Sequence, residues 1–520
     1  MQSPKLSSQI TADYILVNYV GTFGKFQKWL TVYMCFLIGP LMAFNMTTQL
    51  LILVIPPHWC SYDAFETGLS STNAAEKANF IPRINNDTFH SCSMYQNINL
   101  NSTAFNSKTV YCPNGWKYDN RLIYSTPVSE NSWVCKQSWR VYFIHSMYWA
   151  SSAIGVIVFG VLSDHYGRVK ATKICFSLSG IAGIATVFVS KNFYLFVFFR
   201  MMMGFCAYEG MIPLIHVTEF VDSSKRLLVS MGYFAFMSLT SGLLPWFAYS
   251  IGNWKLLSLV TSSLMFLVPL ISIFMPESVR WLMAKGKINQ AKKNIEIVAT
   301  FNGQVTSGYI LDNIQFFTKP SQPLRRIFSY RKFLVSSAFV GSNVYSSTLS
   351  KHPFFLISAN SLIDIISAIA VARLADKFGR KKVTFYNCFL CFIFFSSTVF
   401  LKKSEQYLMI DYSFITDDSK IFLVAFFLAR LTLTAVFNIK LLYGPEVYPT
   451  AVRNRAVAVR MAIGSIGCFI SPLIVGLRFL NQTVCLLIFG IFIALAGIIM
   501  IFLPETKGKQ LPETLDDTEN

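Results

Sequence analysis

At 520 residues, 53% hydrophobic and only 14% charged, the chain is too apolar for a water-soluble protein. A soluble α/β enzyme would alternate short apolar strands with amphipathic helices, and that texture is absent. The net charge of +19 is gathered in a few loops, so a nucleic-acid footprint is not expected either.

Residues 1–28 are polar to mixed, and the apolar run behind them is too long for the core of a cleavable signal peptide. Runs long enough to cross a bilayer follow at 29–55, 141–162, 172–190, 193–218, 228–251 and 256–275. The first two are separated by residues 56–140, much longer than the other loops on that side. This segment carries Cys60, Cys92, Cys112 and Cys135 and two glycosylation sequons, at Asn86 and Asn101. Both features suit an oxidising outer compartment, and four cysteines leave three pairings open. The segment is expected to act either as a protective lid or in solute access or oligomerisation. The other seven cysteines read as packing residues, including Cys388 and Cys391, whose metal-like spacing lies in apolar helix.

Residues 276–332 form a charged central segment. Ile288, Ala291, Ile295 and Val298 repeat there at helical spacing, which predicts a helix at the membrane surface. Six more runs follow at 333–349, 354–374, 383–401, 421–443, 456–477 and 484–503, and 504–520 is a tail. The basic loops all fall on one side if the spans alternate, which makes that side, with both termini, cytoplasmic.

Charged phrases occur twice, 210–230 residues apart and in the same order. Asp164, Gly167 and Arg168 return as Asp376, Gly379 and Arg380; Glu219 and Arg226 return as Glu446 and Arg453. Pro276-Glu277-Ser278 returns as Pro504-Glu505-Thr506, and Arg200 has a partner in Arg430. The pattern predicts an all-α membrane protein with twelve transmembrane helices in two pseudo-symmetric six-helix bundles, residues 29–275 and 333–503. Two such bundles rocking about a shared cavity can move a solute.

The duplicated Asp–Gly–Arg turns resemble the signature of the major facilitator superfamily. The resemblance implies that these charges latch the cytoplasmic side, with the Glu219/Arg226 and Glu446/Arg453 pairs as partners. The whole-length layout is similar to the organic cation/anion/carnitine transporter family. It includes Phe23-Gly-Lys-Phe26, Pro57-His-Trp-Cys60, Leu244-Pro245, Pro276-Glu277-Ser278 and Glu446-Val-Tyr448-Pro449. Sugar porters share some of these phrases but usually lack the large cysteine-bearing loop.

A charge at mid-membrane costs roughly 2.5–3.5 kcal/mol on insertion scales, so charges within the spans mark function. They are Glu209, Asp364, Lys440 and Arg460, with Asp364 the leading candidate to couple to substrate or motion. The resemblance implies a selector charge in the eleventh span, where this chain has Ser465, and a substrate-contacting Tyr at Tyr345. Trp149 and Trp246 offer ring faces for a cation. Arg200 and Arg430, near span ends, are expected to serve structure, and His145 and His216 to be satisfied buried imidazoles.

The expected function is alternating-access transport of small organic cations or zwitterions such as carnitine across the plasma membrane. An organic-anion exchanger is the alternative within the fold, and a non-transporting receptor or scaffold the alternative outside it. No cofactor, metal, ATP site, hydrolytic triad or nucleic-acid partner is expected. The partners are the solute and lipid, with the monomer able to transport.

Overall fold

The computed structural model describes residues 21, 23–61, 81–85, 88–95, 109–119, 123–208, 210–304, 330–349, 353–402, 417–447, 453–477, 482–502 and 505. Both sequon asparagines, Asn86 and Asn101, and the acidic Glu209 lie outside the described residues. Among the described residues, ten helices are long and apolar enough to cross a membrane. The first is Lys25–Ile52, interrupted by a π segment over Met34–Ile38, and the second is Cys135–Tyr166. The third and fifth are Arg168–Phe188 and Leu228–Ile251, and Trp254–Phe274 is the sixth.

The fourth run departs from the expected single helix. It breaks into Phe193–Phe205 and Met211–Thr218, with a turn at Cys206–Tyr208 between them. The seventh, Tyr330–Leu349, is helical over its expected length but carries five serines besides its apolar residues. Pro353–Phe378, Arg380–Lys402, Asp417–Val447, Arg453–Gly476 and Gln482–Ile501 complete the chain order.

Local signals explain several boundaries. Asn192 Oδ1 accepts from the backbone N–H groups of Tyr194 and Leu195, and Asn253 does the same for Lys255 and Leu256. Each side chain thus satisfies N–H groups that a first helical turn leaves open. Gly167, at φ +108°, joins the second and third spans, and Gly379, at φ +92°, joins the eighth and ninth. Left-handed backbone at both turns is why the repeated phrase needs glycine there.

Within the first repeat, Gly155 lies against the Phe205 backbone and Gly204 against the Tyr148 carbonyl, pressing spans two and four together. Between repeats, the second span packs along the eleventh and the fifth along the eighth. The central helix Ile288–Phe301 forms as its spacing predicts. Its Ala291, Ile295 and Val298 are buried in one cluster with Phe26, Phe220 and Trp281, so it docks on the first repeat.

The 56–140 segment adds what composition did not suggest, three short antiparallel ribbons. His58–Cys60 pairs with Trp116–Tyr118, Arg83–Asn85 with Thr88–Phe89, and Ser93–Tyr95 with Thr109–Tyr111. The three open cysteine pairings resolve to Cys60–Cys112 and Cys92–Cys135. His58 lies 3.7 Å from Cys135 Sγ, and burial lowers its pKa, which keeps the ring neutral. Because Cys92 and Cys135 are oxidised to each other, this cluster of sulfur and imidazole is structural.

Closing loops of 52 and 43 residues, the bridges restrict the unfolded segment strongly. Replacing Cys92 and Cys135 by serine is expected to cost the segment about 2–4 kcal/mol. Limited proteolysis of the segment, faster in the variant with the helices intact, would check this. Equal cleavage rates would count against it.

Candidate functional site: a cavity between the two repeats

A cavity of about 620 Å³ lies between the repeats, lined from both by residues that include Gln49, Tyr148, Trp149, Phe339, Asp364 and Thr434. It is closed at the disulfide end. There Gly476 abuts the Tyr142 ring, and Phe354 stacks on Tyr124 with ring centres 5.7 Å apart. Ser358 Oγ donates to the Gly242 carbonyl at 2.7 Å across the same interface. Toward the opposite end, which carries the two Gly–Arg turns, the lining reaches the exposed Leu228 and Arg373.

Six methionines line the cavity: Met42, Met46, Met211, Met231, Met237 and Met461. Thioether side chains are flexible and polarisable, and such a wall adapts to solutes of differing shape. No single methionine stands out in a chain with eighteen of them, so the signal emerges only when the helices bring six to one surface.

Asp364 faces this cavity but is not a free charge. Arg430 Nη2 donates to its Oδ1 at 3.3 Å, and Thr434 Oγ1 donates to the same oxygen at 2.8 Å. Arg430 Nη1 also donates to Ser342 Oγ at 2.8 Å and to the Phe339 carbonyl, and the guanidinium lies 4.6 Å from the Phe339 ring centre. The side chain of Arg430 is fully buried and that of Asp364 is 23% exposed. The expectation that Arg430 sits near a span end is therefore corrected. It lies in the middle of Asp417–Val447, where a buried cation needs a counter-charge.

The other candidates divide. Trp149 lines the cavity. Ser465 stands behind it and donates to the hydroxyl of Tyr208, a lining residue, at 3.4 Å. Tyr345 is buried beside Phe426 in the core of the second repeat, away from the lining, because its helix turns that face inward. Trp246 is half exposed on the outside of the fifth span, so its ring is not offered to the cavity. Arg460 is buried, and its neighbour Met461 takes the lining position. Lys440 falls within the tenth helix, but its side chain lies outside the described residues. His145 lines the cavity, and its Nδ1 has no hydrogen-bond partner, contrary to the satisfied imidazole expected.

At the Gly–Arg end the duplicated phrases assemble, and each repeat does so within itself. Arg168 donates to Asp164 at 2.6 Å and to Glu219 at 3.3 Å. Arg226 Nε donates to the Thr218 and Val221 carbonyls, closing off the preceding helix end.

The residue that organises this end is Glu277, to which the sequence reading gave no role. Its carboxylate accepts the backbone N–H groups of Arg168 at 2.9 Å and Val169 at 3.2 Å, capping the third helix. Burial outweighs these hydrogen bonds and raises the Glu277 pKa from its ordinary value. Glu505 repeats the device, accepting from the backbone of Arg380 at 2.9 Å and Lys381 at 3.0 Å. The signal was the repeated Pro-Glu-Ser/Thr phrase; what it lacked was a partner assigned to the acid. The side chains of Asp376, Glu446 and Arg453 lie outside the described residues.

Comparison with known proteins follows this geometry. The family described as "Sugar (and other) transporter" matches residues 100–516. Organic cation transporter 1 of Caenorhabditis elegans is 25% identical over 98% of this chain and 88% of its own length. Solute carrier family 22 member 6 of Bos taurus is 26% identical, covering 97% and 94%. The beta-alanine transporter of Drosophila melanogaster is 24% identical, covering 97% and 88%. Among solved structures, the partially occluded inward-open xylose transporter XylE from E. coli shares the fold, with a TM-score of 0.57, 15% identity and coverage of 92% and 99%. Two helical repeats about a central cavity, doubled Gly–Arg turns and a full-length match lead to one assignment: the chain belongs to the sugar (and other) transporter family, with the major facilitator fold and a likeness to the family 22 solute carriers.

Proposed function

We propose that this transporter moves small organic ions, zwitterions foremost, across the plasma membrane by alternating access. The observation that carries the reading is the cavity itself. It lies between two like repeats, is closed at the disulfide end, and has charged groups of both signs in or just behind its wall. The Gly–Arg end with both termini is cytoplasmic in this reading, because the basic loops gather there. One chain encloses the whole cavity, so a monomer suffices.

Asp364 and the Trp149 ring suit a positive group on the solute, while Arg200 and His145 near the same wall suit a negative one. A monovalent cation moving alone would draw about 2.3 kcal/mol per 100 mV from the membrane potential. The relatives named above include a cation transporter and a beta-alanine transporter, a range that fits an adaptable methionine-lined cavity. An organic-anion exchanger is the second reading, favoured by the engagement of Asp364 with Arg430.

Uptake of labelled carnitine, tetraethylammonium and a dicarboxylate into cells with and without the protein tests this. Carnitine is expected to accumulate above background. Flux of the dicarboxylate alone would move the assignment to an anion exchanger. No flux for a broad panel, with protein at the surface, would make the chain a receptor or scaffold.

A further inference from the structure

The two repeats place a buried arginine at matching positions, and among the described residues only one of them has a carboxylate partner. Arg430 in the tenth span has Asp364. The second and eighth spans align at the 212-position offset that carries Asp164 to Asp376, which matches Ser152 with Asp364, while the fourth and tenth align at 230, which matches Arg200 with Arg430. So Arg200, the counterpart of Arg430, faces a repeat in which serine stands where the acid would be. Ser152 is fully buried and turns its hydroxyl to the Trp149 carbonyl at 2.7 Å.

Arg200 is 1% exposed. Its Nη1 donates only to the Met203 sulfur at 3.3 Å, a weak acceptor, and its guanidinium lies 5.6 Å from the Phe196 ring centre. Its Nε and Nη2 have no hydrogen-bond partner, and among the described residues no carboxylate pairs with it. A buried cation left this way is costly, several kcal/mol on general grounds, unless something else brings the anion.

The neighbouring wall of the cavity is orphaned in the same sense. The close crossing at Gly204 and Tyr148 sets Arg200 one turn from that contact, behind the stretch of the second span that carries His145. His145 lines the cavity with Nδ1 unpaired, and Gln49 lines it with both its amide nitrogen and oxygen unpaired. The Gln49 amide N–H and, in the Nδ1–H tautomer, the His145 ring are donors at the cavity wall, and with a guanidinium behind them that no described carboxylate pairs they suit an anionic oxygen pair.

We propose that the first repeat holds a carboxylate-recognition subsite made by Gln49, His145 and Arg200, in which the solute's own carboxylate completes the ion pair that Asp364 supplies in the second repeat. The proposal rests on the transport reading of the cavity and deepens it: a transported solute carries a carboxylate, alone or in a zwitterion. Gln49 and His145 contact the carboxylate at the wall, and Arg200 holds it from behind through charge.

The test installs the missing acid. Ser152→Asp gives Arg200 an internal partner and is expected to raise the melting temperature of the purified full-length protein. It should also weaken carboxylate solutes roughly tenfold or more, as loss of a charge-assisted contact does. The probes are beta-alanine and carnitine, set against beta-alaninamide and choline, which keep the positive group and lack the carboxylate. The carboxylate members are expected to stabilise and enter through the wild type, and to lose both effects in Ser152→Asp and Arg200→Gln.

Equal stabilisation of Ser152→Asp and wild type by beta-alanine or carnitine would overturn the subsite, as would a Ser152→Asp variant that melts lower. So would a wild type that none of the carboxylates stabilises. Uptake of choline with no response to carboxylates would remove the subsite and leave the transport reading intact. Carboxylate stabilisation that Ser152→Asp abolishes, with no flux of any probe, would keep the subsite and remove the transport reading.

Discussion

Alanine at position 364 is expected to abolish solute uptake and to destabilise the second repeat by about 3–5 kcal/mol, the usual result of stripping one partner from a buried ion pair. The magnitude follows from where the pair sits. Arg430 is fully buried and within bonding distance of a single described carboxylate, Asp364. Its other acceptors, Ser342 Oγ and the Phe339 carbonyl, are neutral and cannot balance the charge. Asp364→Ala also strips Thr434 of its acceptor at 2.8 Å. Asp364→Asn keeps an oxygen in place and should fold better while still failing to neutralise Arg430. Removing both charges together, as Asp364→Leu with Arg430→Leu, should recover most of the stability without recovering transport. Melting temperature and surface labelling read the first effect and solute flux the second. If Asp364→Ala melts with the wild type, the pair is not what holds these helices together.

The second large effect is expected at Glu277. Replacing it by alanine removes the acceptor for the backbone N–H groups of Arg168 and Val169 and for that of Ser278. Hydrogen bonds to a charged group are worth about 1.5–3 kcal/mol, and the N–H groups left behind at the start of the third helix are partly buried. The loss should appear as lower thermal stability and lower surface abundance. Glu277→Gln, which retains an acceptor oxygen, should be milder. Glu505→Ala should weaken the second repeat in the same way, since Glu505 accepts from Arg380 and Lys381 at nearly the same distances. A Glu277→Ala protein as stable as wild type would show that the cap is dispensable.

The spans and their duplication were legible from the chain because length and hydropathy decide whether a segment can cross a bilayer, and turn residues such as Gly167 and Gly379 leave a spacing that survives duplication. Which face of each span looks inward was much less legible. A helix that meets lipid on one side and other helices on the next is apolar on both, so Trp149 and Trp246 read alike although only Trp149 reaches the cavity. The break after Phe205 had a signal in Tyr208, Glu209 and Gly210, but these lie between apolar stretches that together are long enough to read as one span.

Charge partners were also illegible one residue at a time. Asp364 was conspicuous as an acid within a span, but its partner lies 66 positions away on another helix. In the same way Glu277 reaches a backbone 109 positions earlier. Position within a span marked the first acid and repetition the second, and neither signal said to what the acid was bound.

The bonds described at the Gly–Arg end join residues of the same repeat: Arg168 with Asp164, Glu219 and Glu277, and Arg380 with Glu505. These bonds tie each rim to its own helices, so they can persist while one repeat shifts against the other. The toll for reversing the molecule's facing falls instead on seams such as Ser358 with Gly242 and Tyr142 with Gly476, which must part before the opposite mouth can open. Ser358 and Gly242 adjoin the lining residues Ile357 and Ser241, so this seam closes the cavity directly above its wall.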